Sequence, residues 1–173
     1  MSADTITSET LYQDYEQCGL FNQKQLYYLQ LGLQEGFDTS IYADKAFSWK
    51  QMEQILFGLR AGIDVTVYAK DFYSEYQMAQ IRAALEHGLS MDKIQIFLNP
   101  TFDEWQMCQI RVGLEVGIDA TLYADPSLSW QQMRKQYDKL CVEKHRLDDI
   151  IKQASEDKRN PFEESSRIHE MIR

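Results

Sequence analysis

A glutamine recurs along this chain at Gln25, Gln51, Gln77, Gln106 and Gln132, in steps of 26, 26, 29 and 26 residues, inside one repeated pattern. No other feature narrows the possible folds as much. A fixed period of this length belongs to stacked supersecondary units, in which no unit buries its apolar face alone and neighbours close the core together. Residues 49–69, WKQMEQILFGLRAGIDVTVYA, show the unit plainly: an amphipathic run, a glycine that closes it, and an aspartate that restarts the chain. Four copies are full and the fifth is partial.

Each position in the unit has a physical reading. An apolar residue stands four before the glutamine, as Phe21, Phe47, Tyr73, Phe102 and Leu128. Residues such as Met52, Ile55 and Leu59, or Met107, Ile110 and Leu114, follow at gaps of three and four, which sets one stripe of a helix against a neighbour. Two glycine positions follow. The outer one, Gly36, Gly62, Gly88 and Gly117, is glycine in all four copies and reads as a left-handed helix C-terminus. The inner one, Gly32, Gly58, Ala84 and Gly113, accepts alanine, so small size is the expected requirement, with another helix approaching closely. On that reading Gly58→Ala should be milder than Gly62→Val.

After the outer glycine, Asp38, Asp64, Ser90 and Asp119 read as caps of a short second helix. This helix would hold Tyr42, Tyr68 and Tyr123, taken as inter-repeat core. Copy three departs: its connector is three residues longer and carries Ile94 in place of tyrosine, which predicts one more helical turn before Asn99-Pro100. The fold expected is therefore all-α, a solenoid-like array of helix pairs.

The ends differ from the middle. Residues 1–20 read as a loose polar start and a short capping helix from Leu11, with the array over 21–129. Past Trp130 no outer glycine arrives. Met133, Tyr137, Leu140, Leu147, Ile151 and Ala154 continue as a heptad stripe with Lys144 in one slot, so residues 130–173 predict a long C-terminal helix and a tail. That helix, to about Asp157, would span roughly 40 Å. Asn160-Pro161 would break it, and 162–173 would add a terminal helix. Its stripe needs a partner, either the last repeats or a second chain in a homodimer.

Charge is uneven. Residues 1–130 carry 8 Lys+Arg against 18 Asp+Glu, a net of −10, whereas 131–173 carry 10 against 9. An acidic body repels phosphates, which argues against direct nucleic-acid binding and favours a basic protein surface. The odd, unpaired Cys18, Cys108 and Cys141 fit a reducing compartment. The opening MSADTITSET lacks the regions of a signal peptide, and no apolar run approaches a membrane span, so a cytoplasmic protein is expected.

The pattern QMxQIxxGLxxGIDxxxYADP, as it stands in residues 106–126, resembles a short helical repeat of proteins from Firmicutes plasmids, conjugative elements and phages. The resemblance covers roughly residues 21–133 and implies a mobile-element context. Copy three and the final helix depart from it.

No catalytic constellation stands out. His87, His145 and His169 fall in no HExxH frame, and no Cys/His cluster has metal spacing. No cofactor or metal is expected, and no enzymatic activity. Asp44, Asp71, Asp103 and Asp125 lie in turns between units and read either as solvating charge or as a row of carboxylates facing a partner. Trp49 and Trp130 stand two before the glutamine, where Glu75 and Glu104 replace them. A position that alternates between Trp and Glu is a contact surface sooner than deep core. The expected function is protein binding: inhibition of a basic, nucleic-acid-handling host defence enzyme, of anti-CRISPR or anti-restriction type. The alternative is a structural or adaptor module that self-associates through its final helix.

Overall fold

The computed structural model describes residues 7–157, and its regular elements are all helical. Five successive long helices carry the five glutamine-centred copies: α2 (Gln23–Gln34), α3 (Trp49–Arg60), α4 (Glu75–Glu86), α6 (Glu104–Glu115) and α7 (Trp130–Asp157). The entry helix α1 (Ser8–Gln17) covers α2, and a short α5 (Met91–Ile94) follows α4. Contacts run in sequence, α1 on α2, then α3, α4, α6 and α7, as in a solenoid. The core is a continuous strip along the stack, with Leu29, Met52, Ile55, Met78, Ile81, Met107, Ile110 and Met133 all buried.

Both ends of each repeat helix are fixed by local chemistry. At the start, Asn22, Ser48, Ser74 and Asp103 accept from the backbone N–H of the repeat glutamine, whose side-chain oxygen accepts from the cap's own N–H. This reciprocal box satisfies two otherwise orphaned donors. At the finish, the outer glycines adopt φ between +69° and +79°. The next N–H then reaches back to the inner position, as in Ile63 N–H to the Gly58 carbonyl at 3.2 Å.

The repeat glutamine, which the sequence marks without explaining, turns out to be the strap between units. Its side-chain nitrogen donates to two carbonyls in the turn that begins the next copy: Gln51 to Asp71 and Tyr73 at 2.9 and 2.6 Å, Gln77 to Pro100 and Phe102 at 3.1 and 2.6 Å, Gln106 to Pro126 and Leu128 at 3.1 and 2.6 Å. Gln25 does the same to Lys45 and Phe47. These four amides are buried, so each bond is made where an unpaired polar group would be costly.

Three expectations are corrected. The second member of each pair is no α-helix in copies one, two and four. It is a single 3-10 turn, Thr39–Ile41, Val65–Val67 and Ala120–Leu122, capped as expected by Asp38, Asp64 and Asp119. Only residues 35–48, 61–74 and 116–129 separate the long helices there, and the helix caps and turns take up most of that length. Copy three uses its extra length for α5 and a following 3-10 turn, Gln95–Phe97. Second, the inner glycine does not admit another helix. It receives the phenol of its own repeat: Tyr42, Tyr68 and Tyr123 donate to the carbonyls of Tyr28, Gln54 and Gln109 at 3.2, 3.0 and 3.1 Å, and a Cβ at Gly32, Gly58 or Gly113 would overlap the hydroxyl. Copy three, which has Ala84 at this position, carries Ile94 in place of the tyrosine and so has no hydroxyl to accommodate. Gly58→Ala is therefore not a mild change. Third, α1 begins at Ser8, inside the stretch expected to be loose.

Helix α7 has the expected bounds, yet only its first half packs on the array. Met133 is buried and Tyr137, Leu140 and Cys141 lie against the core. Lys144, in its heptad slot, ends this contact by donating to the Val116 carbonyl at 2.6 Å, so it caps the α6 C-terminus. Beyond it Leu147, Ile150 and Ile151 are exposed. The expected break at Asn160-Pro161 and the helix at 162–173 lie outside the described residues.

Candidate partner-binding surface

Because each repeat glutamine is the third residue of its helix, and the first four turn inward, the two residues before it are left on the rim of the array. The capping boxes fix the backbone there, so these side chains are presented from rigid positions. The rim reads Gln23-Lys24, Trp49-Lys50, Glu75-Tyr76, Glu104-Trp105 and Trp130-Gln131. Contacts link the second residue of one helix to the first of the next. Lys24 Nζ lies 4.5 Å from the Trp49 ring centroid, Lys50 Nζ is 3.1 Å from Glu75 Oε1, and the Trp105 and Trp130 centroids are 6.3 Å apart.

Aromatic surface is plentiful here. Tyr76 and Trp105 are 56% and 59% exposed and Trp130 38%, and Tyr27 on α2 is exposed as well. Tyr28 stacks on Trp49 at 6.0 Å and donates to the Glu53 carboxylate. Burial first, then that carboxylate, pushes the Tyr28 phenol up to about 12. Lower on the helices a polar ladder ties neighbours together: Arg60 to Glu35, Arg82 to Gln54, Arg111 to Gln80, and His87 to Glu115 at 2.8 Å.

The structure brings Trp49, Glu75, Glu104 and Trp130 onto one rim, as the first residues of four successive long helices. It does not do the same for the aspartates. Asp44, Asp71, Asp103 and Asp125 are all exposed, but they stand seven, six, three and seven residues before their glutamines and form no periodic row. Asp44 and Asp125 each hold a turn by accepting from the N–H two residues on, at 2.9 Å, and that hydrogen bond keeps the Asp125 carboxyl below its ordinary range. Asp103 caps α6. Asp71 contributes its carbonyl to the Gln51 strap. Lys24, Lys50, Tyr76 and Trp105 were missed, although their position directly before the glutamine marks them in the sequence.

Among the described residues no group of His, Cys, Asp and Glu is placed to hold a metal ion, and no helix is long and apolar enough to cross a membrane. A hollow between the end of α6 and α7 gathers Cys141, Lys144, His145 and Asp148. His145 Nδ1 donates to the Cys141 backbone carbonyl at 2.7 Å, and Lys144 donates to the Val116 carbonyl. Comparison with known proteins gave no match to a family model, a curated protein or a solved structure.

Proposed function

We propose that this protein acts by binding another protein through the rim of its array. The observation that carries this reading is the rim aromatic series, exposed Tyr76, Trp105 and Trp130 with half-buried Trp49, held at consecutive helix starts by capping boxes and glutamine straps. Tyrosine and tryptophan supply large contact area at low entropic cost and dominate interface energetics. The net −10 of residues 1–130 matches a basic partner, and charge of this kind accelerates association and makes it salt-dependent. Proteins that grip nucleic acid offer such surfaces. With the mobile-element resemblance of the repeat, the partner proposed is a nucleic-acid-targeting host defence enzyme, a CRISPR effector or restriction nuclease, which this protein inhibits. Co-expression with such systems, scored by surviving phage or plasmid, tests it. Protection that disappears in Trp49→Ala/Trp105→Ala supports the reading, and unchanged defence across the systems of the natural host refutes it.

A second reading rests on α7, whose heptad stripe continues past its last contact with the array. Self-association through Leu147 and Ile151 would cover it. Light scattering of the whole chain against Leu147→Asp/Ile151→Asp decides: a dimer lost in the variant supports this reading, and a monomer in both refutes it.

A further inference from the structure

The rim is chemically uneven along its length, and the repeat supplies its own internal comparison. At the first aromatic step the chain provides the cation itself: Lys24 Nζ sits 4.5 Å and Lys50 Nζ 5.8 Å from the Trp49 centroid, and Lys50 also lies 5.8 Å from the Tyr76 ring. At the last step the position of those lysines is taken by Trp105, which faces Trp130 at a 37° tilt. No described lysine or arginine lies over either indole, and Glu104 begins the same helix as Trp105 with no described cation paired to it.

We infer that the Trp105–Trp130 pair, on a rim that also carries Glu104 at the start of α6, is a seat for an arginine side chain of a basic partner. Here Trp105 stands where the lysine stands at Trp49, so two exposed indoles are presented together and no described cation of the chain lies over either. Arginine fits better than lysine because its planar, weakly hydrated guanidinium stacks on indole while its edge pairs with a carboxylate. The array's negative charge brings such a segment in, and the indoles retain it. This inference deepens the proposed rim function and names the chemistry recognised by one part of it.

The three tryptophans give three indole N–H signals, assignable in nitrogen-labelled protein by single Trp→Phe substitutions. The probe is N-acetyl hexa-arginine amide at low salt, with hexa-lysine and hexa-citrulline peptides as comparisons. The expected result is movement of the Trp105 and Trp130 signals with little at Trp49, tighter binding of arginine than lysine, and none of citrulline. Trp105→Ala, at an exposed position, should weaken binding by about 5–10-fold, within the range for cation–π contacts, and Glu104→Gln by a smaller factor. Lys24→Ala should make the Trp49 signal responsive. Uniform shifts at all three indoles, or unchanged affinity in folded Trp105→Ala, would overturn the seat in favour of diffuse charge attraction. The two proposals fail separately. Rim-dependent protection in co-expression without indole shifts removes the arginine seat alone, whereas indole shifts without protection leave the seat and remove the anti-defence function.

Discussion

Adding one methyl group at Gly113 probes the contact that joins the two halves of a repeat. In an isolated helix Gly→Ala gains about 1 kcal/mol. Here the new Cβ would overlap the Tyr123 hydroxyl, so the phenol must move and give up its bond to the Gln109 carbonyl. The lost bond is worth about 1 kcal/mol and forced repacking about 1–3 kcal/mol more. Gly113→Ala should therefore destabilise by about 1–3 kcal/mol net, lowering Tm by about 2–4 °C for each kcal/mol. Tyr123→Phe removes the offending atom for about 1 kcal/mol. In that background the nearest neighbours of the methyl are ring carbon Cζ of residue 123 at 3.2 Å and Tyr137 Cδ2 at 3.5 Å, contacts that a slight tilt relieves. The double variant should match Tyr123→Phe alone, a coupling of about 1–3 kcal/mol in a double-mutant cycle by urea denaturation. Gly88→Ala is the comparison: φ is +73° and nothing lies within 4 Å, so backbone strain alone costs about 1 kcal/mol. Additivity of Gly113→Ala and Tyr123→Phe within about 0.5 kcal/mol would refute the assignment.

Two further outcomes are expected. Gln77→Ala leaves the Pro100 and Phe102 carbonyls without their donor and should cost about 2–4 kcal/mol, whereas exposed Gln132, whose amide nitrogen straps nothing among the described residues, should cost about 1 kcal/mol or less when replaced by Ala; equal losses in thermal melts would reject the strap. Burial opposes ionisation of Glu115, but hydrogen bonds from His87 and Arg111 outweigh it and hold the carboxyl below its ordinary 4.5. A depressed carboxyl stabilises the fold above its unfolded pKa and loses that contribution as pH falls through the folded value. Urea midpoints should therefore fall less between pH 7 and pH ~3 in Glu115→Gln than in wild type, and an identical fall would exclude this site as a source of acid sensitivity.

Much of the architecture was legible in the chain because it rests on local chemistry repeated at a fixed period. Capping side chains, left-handed glycines and apolar residues at helical spacing act within a few residues of one another, so their spacing alone predicts the long helices and the caps at Asp38, Asp64 and Asp119. The tertiary structure decided what lies between repeats. Gln51 reaches carbonyls twenty and twenty-two residues away, and Tyr68 reaches one fourteen residues back; no local periodicity encodes either bond. Surface roles divided in the same way. The alternation of Trp and Glu two before the glutamine marked the rim, but which aspartates were free depended on turn hydrogen bonds, and Asp44, Asp103 and Asp125 proved to be holding the backbone. Only stacking the helices set Lys24 over Trp49 and Trp105 beside Trp130, because those pairs lie twenty-five residues apart and meet only once the core between their helices has closed.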